Sequence, residues 1–258
     1  MKLYEYHPIP GSTSYTKPSL PPLFGTEYEI EGVVDYSSTQ IVNNFKIVSD
    51  GSLRNNGKEF ITPPVTFDES LELFKILHDH LELSDNSFSE RTSIHVHVNC
   101  ANLEVRAILN FIRFYIITEP IWMAFVGKKR ENSIFCVPLY STYLQGNYNR
   151  GLRNLEKSWH KYTAFNICPL TRLGTIEFRH LYGTNDYKIY YQWLSSINNL
   201  IAWAKETENL NFINFFNEES QLFELIKTLL SPIIKQSDQE LKEMCAPTLL
   251  DLKLSFID

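Results

Sequence analysis

Residues 92–99 read Thr-Ser-Ile-His-Val-His-Val-Asn. Every second side chain of a strand points to the same face, so Ser93, His95, His97 and Asn99 share one side and Ile94, Val96 and Val98 the other. A stretch divided in this way is half-buried, with its apolar side against a core. Three more segments repeat the arrangement. Glu27, Glu29 and Glu31 alternate with Tyr28 and Ile30 in residues 24–34, Glu59 stands within residues 58–62, and Glu177 and Arg179 flank Phe178 within residues 174–182. Four carboxylates (Glu27, Glu29, Glu59, Glu177), two imidazoles and one guanidinium would then share one concave surface. That is donor chemistry suited to metal ions and phosphates.

Around these segments the pattern alternates between strand and helix. Residues 44–48 are an expected strand, followed by the turn Ser49-Asp50-Gly51-Ser52, and residues 58–62 stop at Pro63-Pro64 because proline cannot donate to a ladder. Leu71, Phe74 and Leu77 mark a helix over 68–83. Asn102 is the expected cap of the next helix, which runs to about residue 118 before Pro120 interrupts or restarts it. Residues 127–159, rich in Arg, Asn, Tyr and Gly, lack strong periodicity and read as a functional loop or lid. Strands over 162–168 and 174–182 follow. From about residue 186 the pattern is helical, with breaks near Asn209 and Pro232. Residues 1–23, which hold Pro8, Pro10, Pro18, Pro21 and Pro22, read as an extended N-terminal arm, and residues 24–258 as one catalytic domain. The expected class is α+β, a curved antiparallel sheet with helices on its convex face.

Composition narrows the function. The 258 residues, 43% apolar and 21% charged, are those of an ordinary globular protein with a sizeable core. Thirty acidic against 24 basic residues give a net charge of −6, so no general basic field draws nucleic acid. No N-terminal stretch has the layout of a signal peptide. The apolar run 107–126 contains Arg113, Glu119 and Pro120, which argues against a membrane span. Cys100, Cys136, Cys168 and Cys245 form no CxxC pair and read as buried thiols. The expectation is a cytoplasmic protein with neither nucleic acid nor membrane as partner.

Each candidate has a plain alternative. Glu27 and Glu29 crowd like charge unless a cation compensates, but they could also be a solvated strand face. His95 and His97 can reach one metal or one phosphate chain, or be structural. A metal-dependent hydrolase or oxygenase built on His95, His97 and a glutamate is a second reading. The cupin spacing is missing, because the next carboxylate, Glu104, lies seven residues after His97. Glu177 and Arg179 are either a surface ion pair or a metal ligand beside a phosphate clamp. Arg130, Arg150 and Arg153 offer further phosphate contacts, and the aromatics of 140–148 a surface for stacking a base. No P-loop or GxGxxG occurs.

In order, GTEYEIE (25–31), DGS (50–52), KEFITPP (58–64), HVHVN (95–99) and TIEFR (175–179) resemble the amidoligase family of phages, bacteria and fungi. These are carboxylate–amine ligases related to glutamine synthetase and glutamate–cysteine ligase. The resemblance spans about residues 24–205. It implies a glutamine synthetase-like half-barrel whose concave face binds ATP and Mg2+, with Mn2+ as the alternative ion. By resemblance, Glu29 and Glu59 hold one ion, and Glu27, His95 and Glu177 another. His97 lies against the ATP phosphates, and Arg179 grips the transferred phosphoryl group; Arg130 and Arg150 are added to the nucleotide contacts on the reading of the loop alone. Asn166 lines the substrate site, while Asp50 and Ser52 match a D-x-S motif near the nucleotide or amine. The implied reaction forms an acyl phosphate and then an amide, with Asp50 or Glu31 as candidate base. A non-catalytic nucleotide-binding relative is the alternative. One departure is Thr92-Ser93-Ile94, where many relatives carry glycine or cysteine. The partners implied are small-molecule or peptide carboxylates and amines of unread identity, and homo-oligomerisation is left open.

Overall fold

In a computed structural model, which describes residues 1–7, 21–84, 86–142, 148–207, 211–212 and 218–256, the alternating segments lie side by side. Strands β1 (Phe24–Ile30), β2 (Lys46–Ser49), β3 (Lys58–Ile61), β4 (Ser93–Asn99), β5 (Phe165–Asn166) and β6 (Thr175–Tyr182) form one open antiparallel sheet in the order β2-β3-β1-β4-β6-β5. This order makes neighbours of the four strands that carry the acidic and imidazole side chains, although they come from distant parts of the chain. Among the described residues the helices are α1 (Leu3–Tyr6), α2 (Thr39–Asn44), α3 (Phe67–His80), α4 (Val105–Val126), α5 (Lys128–Glu131), α6 (Leu152–Ser158), α7 (Tyr187–Glu206), α8 (Glu219–Leu230) and α9 (Asp238–Leu254). The class is the expected α+β.

One face of the sheet is largely apolar. Phe24, Tyr28, Ile30, Phe60, Ile94, Val96, Val98, Phe165, Ile176 and Phe178 are buried there, beneath α3, α4 and α7. Removing these side chains from water is the main driving force that orients the strands. It also sets the register, because a slip by one residue would turn every apolar side chain outward. The covering helices carry their own start signals. Thr66 and Glu69 form a capping box at α3, and Asp186 accepts from the Lys188 and Ile189 amides at α7.

The structure departs from the expected elements at definable points. β1 ends at Ile30, two residues before Gly32 takes a φ of +67°. Residues 162–168 yield only the two-residue β5, followed by a 3-10 turn at Cys168–Thr171. The stretch 127–159 contains α5, a 3-10 turn at Leu139–Ser141 and α6. At the N-terminus Leu3–Tyr6 is a helical turn with Leu3 fully buried, and His7 bonds Glu156 at 2.7 Å. Residues 8–20 of the expected arm, and the expected break at Asn209, lie outside the described residues.

The largest departure is α4. It starts at Val105 with Glu104, not Asn102, in the capping position, and continues unbroken through Pro120. A proline inside a helix removes one donor and leaves nearby carbonyls short of partners. Pro120 leaves the Ile116 carbonyl without its amide, and side-chain hydroxyls bond carbonyls on either side of it. Thr118 Oγ1 donates to the Phe114 and Tyr115 carbonyls, and Thr248 Oγ1 of α9 donates to the Ile117 carbonyl. By length and composition α4 could cross a membrane, yet 72% of its apolar window is buried inside the fold.

Glu119, on α4, is 1% exposed. Burial pushes its carboxyl up to about 7, although the Leu139 and Tyr140 amides and the Tyr115 hydroxyl all donate to it. A carboxyl whose pKa is raised on folding contributes stability below its unfolded value of 4.5. That contribution is lost as pH rises towards 7. The loss amounts to on the order of 3 kcal/mol across the interval. Glu119→Gln should flatten this part of the stability–pH curve, measured by melting temperature against pH. Parallel curves for the two proteins would contradict the assignment.

Candidate functional site

The face opposite the helices gathers the polar positions of β3, β1, β4, β6 and β5. Pairing places Glu29 opposite Glu59, Glu27 opposite His95, and Glu177 opposite both His97 and Asn166. Directly opposed side chains in an antiparallel pair start only about 5 Å apart at Cβ. Two groups of donor atoms result. Atoms of Glu27, His95 and Glu177 all lie within 4.8 Å of one another, as do atoms of Glu29, Glu59 and His95. Most of these residues are buried, with Glu29, His95 and Glu177 each 5% exposed or less.

Hydrogen bonds fix the orientation of the central imidazole. Ser93 has one hydroxyl proton and gives it to Glu29, so its oxygen accepts from His95 Nε2 at 2.7 Å. His95 Nδ1 then faces a Glu27 oxygen at 3.3 Å and a Glu177 oxygen at 3.6 Å. Two carboxylates converging beside an imidazole repel one another unless a cation lies between them. Oxygen and imidazole donors so arranged fit a divalent ion.

The local charges respond to this crowding. Burial together with the charges of Glu27, Glu29 and Asp50 pushes the Glu59 carboxyl up to about 8. Burial would also raise Glu27, but hydrogen bonds to His95 and His97 hold it well below the usual carboxylate range. His97 moves upward: burial opposes its charge, and Glu27 and Glu177 outweigh that. Its Nδ1 meets Thr175 Oγ1 at 3.0 Å, and its Nε2 lies 3.4 Å from Glu27.

Glu177 is held from both sides. Asn166 Nδ2 donates to one of its oxygens at 2.7 Å, and Arg179 Nη1 donates to the other. The Arg179 Nε reaches the Phe135 carbonyl at 3.3 Å. Arg179 shares the face of Glu177 by plain alternation, and a β-bulge follows it. Between the pairs Ile94–Leu181 and Val96–Phe178, β6 uses one residue more than β4. His180 and Leu181 are therefore both buried on the helix side, and Tyr182, opposite Ser93, returns to the acidic face.

Other expected residues are placed differently. Asp50, half-buried, accepts from the Ser52 amide in a tight turn, and its charge is felt at Glu59. The Ser52 carbonyl is taken by Arg91. Glu31 is buried beyond the end of β1 and accepts from the Arg54 amide, so it braces a loop. Arg130 is not brought into the cluster. It is 3% exposed, and its Nε and Nη2 donate to the His180 and Arg179 carbonyls at 2.9 and 2.6 Å. Arg150 is exposed, and Arg153 lies over the Tyr6 ring. Of the aromatics in 140–148, Tyr148 is buried and Tyr140 bonds Glu131, while 143–147 lie outside the described residues. Ser93 and Thr175, which orient the two histidines, were not among the candidates. Their only signal in the sequence is that they alternate in phase with the histidines and Glu177.

Residues 16–200 match the family model described as "Putative amidoligase enzyme". A comparison with curated proteins finds no match.

A divalent ion entering beside Glu59 must displace the proton that crowding keeps there. Mg2+ binding should therefore release about one proton near neutral pH, and its affinity should fall about tenfold per pH unit below pH 8. Calorimetric titration in buffers of different ionisation heat measures both quantities. Glu59→Gln should abolish the proton release and weaken binding, whereas an affinity independent of pH would refute the coupling.

Proposed function

The chain belongs to the amidoligase family, and on that premise we propose that it is an ATP-dependent carboxylate–amine ligase whose reaction runs on the acidic face of the sheet. The observation that carries this reading is the sharing of one face by the two donor groups and Arg179. Glu29 and Glu59 would hold one Mg2+ ion, and Glu27, His95 and Glu177 another. Bound there, the ions would neutralise charge on the ATP phosphates.

The rest follows from the chain's own residues. A substrate carboxylate oxygen attacks the γ-phosphorus of ATP, the bond to ADP breaks, and an acyl phosphate forms. Arg179, fixed by Glu177 and the Phe135 carbonyl, offers its remaining N–H groups to the phosphoryl oxygens as they gain charge. His97, drawn towards its cationic form by Glu27 and Glu177, adds positive charge beside the same phosphates. The amine nitrogen then attacks the acyl carbon, phosphate leaves, and the amine's proton passes to a base. Asp50 is the candidate for that base, since its charge already acts on Glu59. Asn166 keeps Glu177 in place by occupying its second oxygen.

Release of ADP, screened with pools of amino acids and amines in the presence of Mg2+, tests the reading. Glu177→Ala and Arg179→Ala should each lower turnover by about 100-fold or more. Undiminished turnover in both variants would place the chemistry elsewhere. Turnover that needs metal but not ATP would replace the ligase with a hydrolase or oxygenase centred on His95 and His97.

A further inference from the structure

A cleft of about 650 Å³ opens where β6 ends, bounded by Phe88, Glu90, Lys128, Arg130, Tyr182 and Gly183. This volume is in the range of small-molecule sites. The cleft adjoins the acidic face, because Tyr182 pairs with Ser93, whose hydroxyl bonds Glu29. Its wall is tightly fitted: a Cβ on Gly183 would collide with Thr92 and Phe88.

Its charge is unbalanced. Arg130 is 3% exposed, and among the described residues no carboxylate pairs with it. Its Nε and Nη2 donate to the His180 and Arg179 carbonyls and its guanidinium also meets the Cys136 side chain, all of them neutral groups. A buried guanidinium without a counter-charge is costly, and an anion relieves that cost. Lys128, exposed at the rim, also has no acidic partner among the described residues, whereas the neighbouring Lys129 pairs with Glu90 at 3.2 Å.

We propose that this cleft receives the acyl substrate and that the substrate carries a second anionic group, held between Arg130 and Lys128 beside the rings of Phe88 and Tyr182. The acyl role rests on the ligase reading; the anion site does not. The second group is a carboxylate or a phosphate, both of which suit a guanidinium.

The test is calorimetric titration of the full chain, without nucleotide or metal, using glutarate and inorganic phosphate in separate arms and acetate as a singly charged control. Saturable binding of glutarate alone identifies a dicarboxylic substrate, and of phosphate alone a phosphorylated one. Lys128→Glu, a change at an exposed position, should weaken the binding about tenfold or more while leaving the circular dichroism spectrum unchanged. Arg130→Lys should weaken it as well. If neither anion binds better than acetate, or if Lys128→Glu binds as the wild type does, the anion site is refuted. Anion binding in a protein that never turns over ATP would sink the acyl role together with the ligase. Turnover of ATP without anion binding would sink the cleft proposal alone.

Discussion

Four carboxylates on one side of a sheet repel one another, and the rest of the fold is organised to hold them together. The force opposing that repulsion comes from the other side, where Ile94, Val96, Val98, Phe178 and their neighbours are sealed beneath α3, α4 and α7. Because strand side chains alternate, burying those residues obliges Glu27, Glu29, Glu59 and Glu177 to converge. The apolar core is in this sense the source of the electrostatic strain on the acidic face. Glu59 retaining its proton is the mildest way the protein on its own can relieve that strain.

Neutral partners then turn crowding into geometry. Ser93 and Asn166 carry no charge, yet they decide which nitrogen of His95 faces Glu27 and which oxygen of Glu177 faces Arg179. Such supporting contacts commonly hold metal-ligating side chains in one orientation. The bulge in β6 has an equivalent support from the opposite direction, because Arg130 bonds the Arg179 and His180 carbonyls around it.

Much of this was legible in the sequence. His95-Val96-His97 and Glu27-Tyr28-Glu29 announce both the strand period and the polar face, and five short motifs in order carried the family. Which strands would be neighbours was not legible, because alternation within a segment says nothing about its partner. The course of α4 through Pro120 was hidden, since the supporting hydroxyl of Thr248 lies more than a hundred residues away. Nothing local in the sequence reveals that Arg130 bonds two backbone carbonyls of β6 and so lies away from the acidic cluster. The strand expected over 162–168 shrank to two residues because Asn166 turns its side chain to the Cys168 amide and opens a 3-10 turn.

The bulge also divides β6 into two reading frames. Up to Arg179 the odd-numbered residues face the acids, and at Tyr182 an even-numbered one does. Strict alternation would have put Leu181 on the acidic face and Tyr182 in the core. A single-residue insertion or deletion at this point would therefore re-aim everything downstream while leaving Glu177 and its neighbours untouched. Changes in strand length here would alter the far end of β6 in relatives of this chain, with the acidic face inherited intact.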